Sequence, residues 1–204
     1  GTRFGMMEND CFYTLKDGEP HLELDFDRSL RMNVGSDSRY GKAEVVRKYN
    51  QKLYMGVTER NSTHLYVYTE GEIAPVYEQE GAIDGFSVGP EGIRMILMRD
   101  MELEELYHLD WDGGLVRLSR FNQDWCESHS IARPRKLAVK SGGEEIDGWV
   151  LLPVGYDPEK TYPAILDIHG GPKTVYGEVY YHEMQVWAGR GYFVFFCNPH
   201  GSDG

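Results

Sequence analysis

The sequence predicts a mixed architecture: all-β blades of a propeller over residues 1–131, then the opening strands and first helix of an α/β unit over 132–204. Three observations predict it. Short strand-like segments bounded by Gly, Asp, Asn and Glu fill the first part, with no sustained 3.6-residue apolar period. A Leu-Tyr pattern recurs within that part. After Ile131 a strand, a glycine loop, a helix and an apolar strand follow in the order of a βαβ crossover.

In chain order, the candidate strands of the first part are Cys11–Lys16, Lys52–Thr58, His64–Thr69, Ala82–Val88, Arg94–Arg99, Glu105–Asp110 and Leu115–Arg120. Asp17-Gly18, Glu70-Gly71, Gly89-Pro90 and Asp112-Gly113-Gly114 supply turn chemistry between them. Leu65-Tyr66 and Leu106-Tyr107 stand 41 residues apart, each preceded by an apolar strand and followed by a Gly turn. Phe12-Tyr13, ahead of Asp17-Gly18, stands as a third copy 53 residues before Tyr66. A period near 40–50 residues with about four strands per unit is the mark of propeller blades, which pack side by side because none can cover both its faces alone. An antiparallel sandwich also yields short, evenly spaced strands.

The character changes at the basic connector Arg133-Pro134-Arg135-Lys136. Leu137–Lys140 and Ile146–Leu152 are strands joined by the turn Ser141-Gly142-Gly143, and Ala164–Ile168 is a short apolar strand. A helix is expected from Val179 to Ala188, with Met184, Trp187 and Ala188 sharing a face and Gly189 and Gly191 ending it. Tyr192–Cys197 is a continuous apolar run, expected to be buried on both faces as parallel strands are.

His169-Gly170-Gly171-Pro172 follows the Ala164–Ile168 strand and precedes the helix. A glycine pair here lets the backbone approach a developing oxyanion and offer its N–H groups. A plain glycine turn between strand and helix has the same letters. The neighbouring runs Trp149–Pro153, Gly155-Tyr156-Asp157-Pro158 and Tyr162–Leu166, with His169–Pro172 and Asn198-Pro199-His200-Gly201-Ser202-Asp203-Gly204, resemble the prolyl oligopeptidase family of serine peptidases. The resemblance covers about Arg133 to Gly204. Histidine rather than tyrosine at 169 is similar to the acylaminoacyl-peptidase-like branch. His200 departs from the arginine usual after Asn-Pro, which bears on local salt bridges and not on the fold.

The resemblance implies a propeller followed by an α/β-hydrolase domain. It implies hydrolysis of short peptides through an acyl-enzyme, with the N–H of Gly171, and of Gly170, as oxyanion donors. No cofactor is implied. An esterase, or a catalytically silent propeller–hydrolase scaffold for protein interaction, carries the same features. In this family the nucleophile elbow and the triad Asp and His lie beyond the Asn-Pro segment. The chain is therefore expected to be an internal fragment without Ser, Asp and His of the triad, and inactive by itself. Gly85-Phe86-Ser87-Val88-Gly89 fits G-x-S-x-G but leads into Gly89-Pro90 rather than a helix, so Ser87 is an ordinary strand residue. Ser202 sits in a loop with no helix after it and is not the nucleophile.

Composition narrows the partners. With 33 acidic and 21 basic residues the net charge is −12, which opposes binding to a phosphate backbone. The longest apolar run, Tyr192–Cys197, is far short of the ~20 residues that span a bilayer, so no membrane association is expected. Gly1-Thr2-Arg3-Phe4 has no secretory-signal character, and Cys11, Cys126 and Cys197 are odd in number and widely spaced. Reduced, mostly buried thiols in a cytoplasmic protein are expected, with oligomeric state left open. His182-Glu183 lacks the second histidine of a zinc helix because Val186 occupies that place. The run Asp100, Glu102, Glu104, Glu105 is expected to be a solvated hairpin tip, Glu144-Glu145 likewise, and His169 a structural residue beneath its loop. The tyrosines and Trp111, Trp125, Trp149 and Trp187 are expected in cores and between blades.

Overall fold

Two-residue reversals set the register of much of the chain. The computed structural model describes residue 5 and residues 8–41, 43–171 and 173–204; residues 1–4 and Pro172, both used in the sequence analysis, lie outside the described residues. β1 (Phe12–Lys16) and β2 (Glu19–Leu24) meet across Asp17-Gly18, β3 (Val46–Tyr49) and β4 (Lys52–Glu59) across Asn50-Gln51, and β5 (Ser62–Thr69) and β6 (Glu72–Tyr77) across Glu70-Gly71. Both residues of each of these turns have positive φ, the conformation whose twist matches antiparallel strands. β7 (Ala82–Gly89), β8 (Gly92–Met98), β9 (Glu105–Asp110) and β10 (Leu115–Arg117) follow.

These strands form two four-stranded antiparallel sheets, β3-β4-β5-β6 and β7-β8-β9-β10, and the separate hairpin β1-β2. Met32, Tyr54, Leu65, Tyr77, Ile83, Phe86, Ile93, Met95, Leu97, Tyr107 and Leu109 form one apolar core across both sheets. The two Leu-Tyr pairs fall in equivalent strands, β5 and β9, the third in each sheet. The Phe12-Tyr13 copy does not: among the described residues it belongs to a two-stranded hairpin. β2, β3 and β6 escape the sequence pattern because they are mostly exposed, and β6 carries Pro75. The short helix α1 (Gln123–Ser128) has no buried residue and no apolar face to announce it. Ser87 lies exposed in β7, as a strand residue.

The second part holds β11 (Pro134–Ser141), β12 (Glu144–Leu151), β13 (Ala164–Asp167), α2 (His182–Gly189) and β14 (Phe193–Cys197). The sheet order is β11-β12-β14-β13, with β13 and β14 parallel and the other pairs antiparallel. β11 begins at Pro134, so the basic connector is largely strand. α2 lays Met184 and Ala188 on the sheet against Trp149, Leu151, Val194 and Phe196, and Trp149 stacks on Phe196 with centroids 5.4 Å apart. The helix starts at His182 rather than Val179, because its first amides are capped by a residue remote in sequence, described below. β14 is covered on one face only: Val194 and Phe196 are buried, while Phe195 is exposed, as are Leu166 and Ile168 at the β13 edge.

Three further expectations are corrected. The cysteines are free thiols, but each is only partly buried. Trp111 is 46% exposed, held at the surface by a 2.8 Å bond from Nε1 to the Pro90 carbonyl. The acidic run is a solvated tip only in part: Asp100 is exposed at the turn, while Glu102 and Glu104 are half-buried. Glu105 is fully buried, and its carboxylate accepts from Ser119 Oγ, from Phe121 N at 3.0 Å and from Asn122 N at 2.8 Å, with Arg117 Nη2 at 3.3 Å.

Burial alone would raise the Glu105 pKa; the donors of Ser119, Asn122 and Phe121 and the Arg117 charge outweigh it and hold the carboxyl below its ordinary range. Glu105→Gln removes the charge from this nest and is expected to destabilise the protein at neutral pH by about 1–3 kcal/mol. A depressed folded-state pKa gives stability that is complete above the unfolded value, about 4.5, and is lost as pH falls through the folded value. Urea denaturation curves of wild type and variant should therefore converge in acid.

Candidate active site

In an open sheet with parallel strands, ligands bind beyond the carboxyl ends of those strands. β13 runs parallel to β14 with Ala164 opposite Phe193 and Asp167 opposite Phe196, and the chain leaves β13 into His169-Gly170-Gly171. Gly170 and Gly171 are exposed, and no hydrogen bond from either N–H is found among the described residues. Gly171 has φ +124°, and a Cβ there would lie 3.0 Å from Lys173 N and 3.2 Å from Thr174 Cγ2. Only glycine fits that backbone and that space.

Behind the glycines the loop is braced. His169 places Nδ1 2.9 Å from Gly170 O and Nε2 3.0 Å from Ser202 Oγ, and its ring meets Tyr176 edge-on at 5.1 Å. Ser202 Oγ also donates to Pro199 O at 2.7 Å. The Asn198 side chain accepts from Tyr176 N at 2.7 Å and donates to Tyr176 O at 2.9 Å. Burial, and the charge and hydrogen bond of Asp167, push the Tyr176 phenol far above its ordinary range, so it remains protonated. His200 lies across the β11–β12 turn, with Nε2 3.1 Å from Ser141 O and Nδ1 3.4 Å from Glu144 Oε2.

A segment of the first part, residues 29–41, straps across this region. Val34 pairs with Val175 in a parallel bridge, and Gly35 N donates to Val175 O at 2.7 Å. Asn33 Nδ2 donates to Lys173 O at 3.0 Å and to Asp203 Oδ2 at 2.7 Å; Thr174 Oγ1 donates to Asn33 O at 2.9 Å. Asp203 is buried, also accepts from Ser29 Oγ at 2.6 Å, and has Lys173 Nζ 3.3 Å from Oδ1, near enough for the charges to pair though not aligned as a hydrogen bond. Lys173 Nζ donates further to Asn9 Oδ1 and Glu8 O. Asp37 caps α2, its two oxygens accepting from His182 N at 2.6 Å and Glu183 N at 2.8 Å. The sequence signals none of the strap residues and not Lys173, and it places Asp203 in the segment after Asn198-Pro199 without a role.

No protein-family profile matches the chain. It is 34% identical over 175 residues to the uncharacterized peptidase YuxL of Bacillus subtilis, a match spanning 82% of this chain and 27% of that protein. It is 39% identical over 70 residues to dipeptidyl-peptidase 5 of Arthroderma otae, 33% of this chain and 10% of that one. Its structure superposes on Pyrococcus horikoshii acylaminoacyl peptidase with TM-score 0.79 and 30% identity, over 99% of this chain and 30% of that one. The homologues of this chain are peptidases. They belong to the acylaminoacyl-peptidase and prolyl oligopeptidase family, and the chain matches only part of them, about a quarter of YuxL. The similarity reaches well into the first part of the chain, beyond the segment from Arg133 on which the resemblance was noted. Among the described residues no helix is long and apolar enough to cross a membrane, and no cluster of three or more His, Cys, Asp or Glu is arranged to hold a metal.

The strap's other end is anchored by Arg39. Its guanidinium donates to Val34 O and Met32 O at 2.9 and 2.8 Å and pairs with the buried Asp84, whose other oxygen accepts from Gly41 N. Glu104 lies beside them, accepting from Tyr40 N at 2.9 Å; its Oε1 is buried with no hydrogen-bond partner among the described residues. Burial, then the neighbouring Asp84 carboxylate, push Glu104 up to about 7, against the opposing pull of the Tyr40 amide and Arg39. A raised folded-state pKa gives stability that is complete below the unfolded value, about 4.5, and is lost as pH rises through about 7. Wild type should therefore lose unfolding free energy across that window, and Glu104→Gln should flatten the loss, as read by urea denaturation at several pH values.

Proposed function

We propose that the chain is part of a serine peptidase that hydrolyses short peptides through an acyl-enzyme. In this reading residues 1–131 are the last blades of a β-propeller, and 132–204 open an α/β-hydrolase domain. The observation that carries it is the pair of exposed amides at Gly170 and Gly171, without a hydrogen bond among the described residues, on a braced loop at the carboxyl end of a parallel strand. The Gly171 N–H, with that of Gly170, would donate to the carbonyl oxygen as it gains charge in the tetrahedral intermediate. The attacking serine, its histidine and the orienting aspartate would come from other parts of the protein. The blades would narrow access to the site, selecting peptides by size. Leu166 and its register partner Phe195, exposed on one face of β13 and β14, with Ile168 just beyond β13, support a further layer covering that face in the intact protein. The relatives support the peptide substrate: a relative of 30% identity was solved with a peptide chloromethyl ketone. No cofactor enters the proposal.

The test uses the intact protein. Peptide p-nitroanilides should be cleaved and a fluorophosphonate should label the enzyme; cleavage of p-nitrophenyl esters alone would overturn the peptidase reading. Gly171→Ala forces a Cβ against Lys173 N and a disfavoured φ, so the loop must shift. Removing an oxyanion donor costs about 100–1,000-fold in kcat where a side chain supplies it. A loss of at least ~100-fold in kcat, with KM little changed, is expected for Gly171→Ala.

A further inference from the structure

We infer that Asp203 is a positioning residue for the Gly171 amide, acting through Lys173 and Thr174, with Asn33 of the strap as its partner. The inference rests on the peptidase reading and adds to it a device that reading does not contain. Gly171 packs against the backbone of Lys173 and Thr174: a Cβ added to it would lie 3.0 Å from Lys173 N and 3.4 Å from Thr174 N. Those two residues are held from the far side. Asp203 N donates to Thr174 O at 3.2 Å, Asn33 donates to Lys173 O, and the Asp203 carboxylate pairs with the Lys173 ammonium. The residue before Asp203, Ser202, meets His169 Nε2 on the other flank of the glycine pair. The loop is thus gripped on both sides of the donors by one short segment, and that segment is locked to the strap by Ser29 and Asn33.

The Asp203 side chain is fully buried and that of Lys173 is 11% exposed. A carboxylate so desolvated keeps its donors in fixed places, because every displaced donor leaves charge uncompensated. Loss of the carboxylate frees Lys173 and Asn33 to move, and the Gly171 N–H moves with them. The ground-state complex, bound mainly elsewhere, changes little; the oxyanion loses an aligned donor.

In the full-length enzyme, Asp203→Ala should lower kcat about 10–100-fold with KM within about threefold, the scale expected for an ångström-sized misplacement. The affinity for a peptidyl trifluoromethyl ketone, which forms a tetrahedral oxyanion adduct, should fall by the same factor as kcat/KM, while a non-covalent product peptide binds as before. Asp203→Asn should recover only part of kcat, because its amide oxygen still accepts from Ser29 and Asn33 while the charge that holds Lys173 is gone. Glu105→Gln, which weakens the buried nest in the first part of the chain and touches neither the strap nor the glycine loop, is the matched control: it lowers the melting temperature and leaves kcat unchanged. If Asp203→Ala does not fold, Asn33→Ala should show the same split at smaller size, about 3–10-fold in kcat. A folded Asp203→Ala or Asn33→Ala with wild-type kcat, or a Glu105→Gln loss equal to theirs, overturns the positioning role alone. A wild-type enzyme with neither amide hydrolysis nor fluorophosphonate labelling overturns the peptidase reading and this inference with it.

Discussion

A carboxylate taken out of water must find its donors inside the protein, and at Asp203 they come from distant parts of the chain. Ser29 and Asn33 reach it from the strap, and Lys173 from the turn that follows the glycine pair. The effective penalty for burying an ion is several kcal/mol, recovered only when the partners are well placed. The cluster therefore tolerates little sliding. It fixes three things relative to one another: the first part of the chain, the glycine loop and the segment after β14.

Apolar packing could not do this alone. The seam between the two parts is filled by Val34, Ala82, Met98, Val175, Val179 and Tyr180. Burying side chains of the larger apolar types contributes roughly 1.5–3 kcal/mol each, but without direction, so a shifted seam would retain most of it. Hydrogen bonds are directional. The Val34–Val175 bridge, the Asp37 cap on α2 and the Asn33 contacts convert an adhesive seam into one with a register. Arg39 ties the same strap to the β7–β10 sheet through Asp84, so the register is transmitted to both ends.

Local signals in the sequence were dependable where the structure is local. The Leu-Tyr spacing located β5 and β9, the Gly-bearing pairs located hairpins, and the apolar runs placed β13 beside β14 in the same direction. His169 lies under its loop, with its ring nitrogens at Gly170 O and Ser202 Oγ. What stayed hidden depends on partners far away in the chain. Asp203 and its two strap donors are separated by 170 and 174 residues, beyond any spacing rule. Glu105 looked solvated because an acidic run says nothing about Ser119, Phe121 and Asn122 folding back onto it. The start of α2 was misplaced because its cap comes from Asp37 rather than from the residues just ahead of it. The apolar β14 run suggested burial on both faces, yet within this chain only α2 and its neighbours supply a cover, on one side.

The distribution of satisfied and unsatisfied groups around β13 has a physical logic. Behind the loop nearly every polar group is engaged: the Asn198 amide with Tyr176, the Ser202 hydroxyl with Pro199, the Asp203 carboxylate with the strap. In front of it the two glycines are exposed, and their amides are unengaged among the described residues. An N–H that is free to rotate must be reoriented each time it meets a charged oxygen, and that cost falls on the reacting complex. One whose direction is set by bonds on its far side meets the cost during folding, and the donor is already aimed when charge develops. Rigidity at the back of the loop and openness at the front are therefore parts of one arrangement, and the buried Asp203 carboxylate is where the rigid side is anchored.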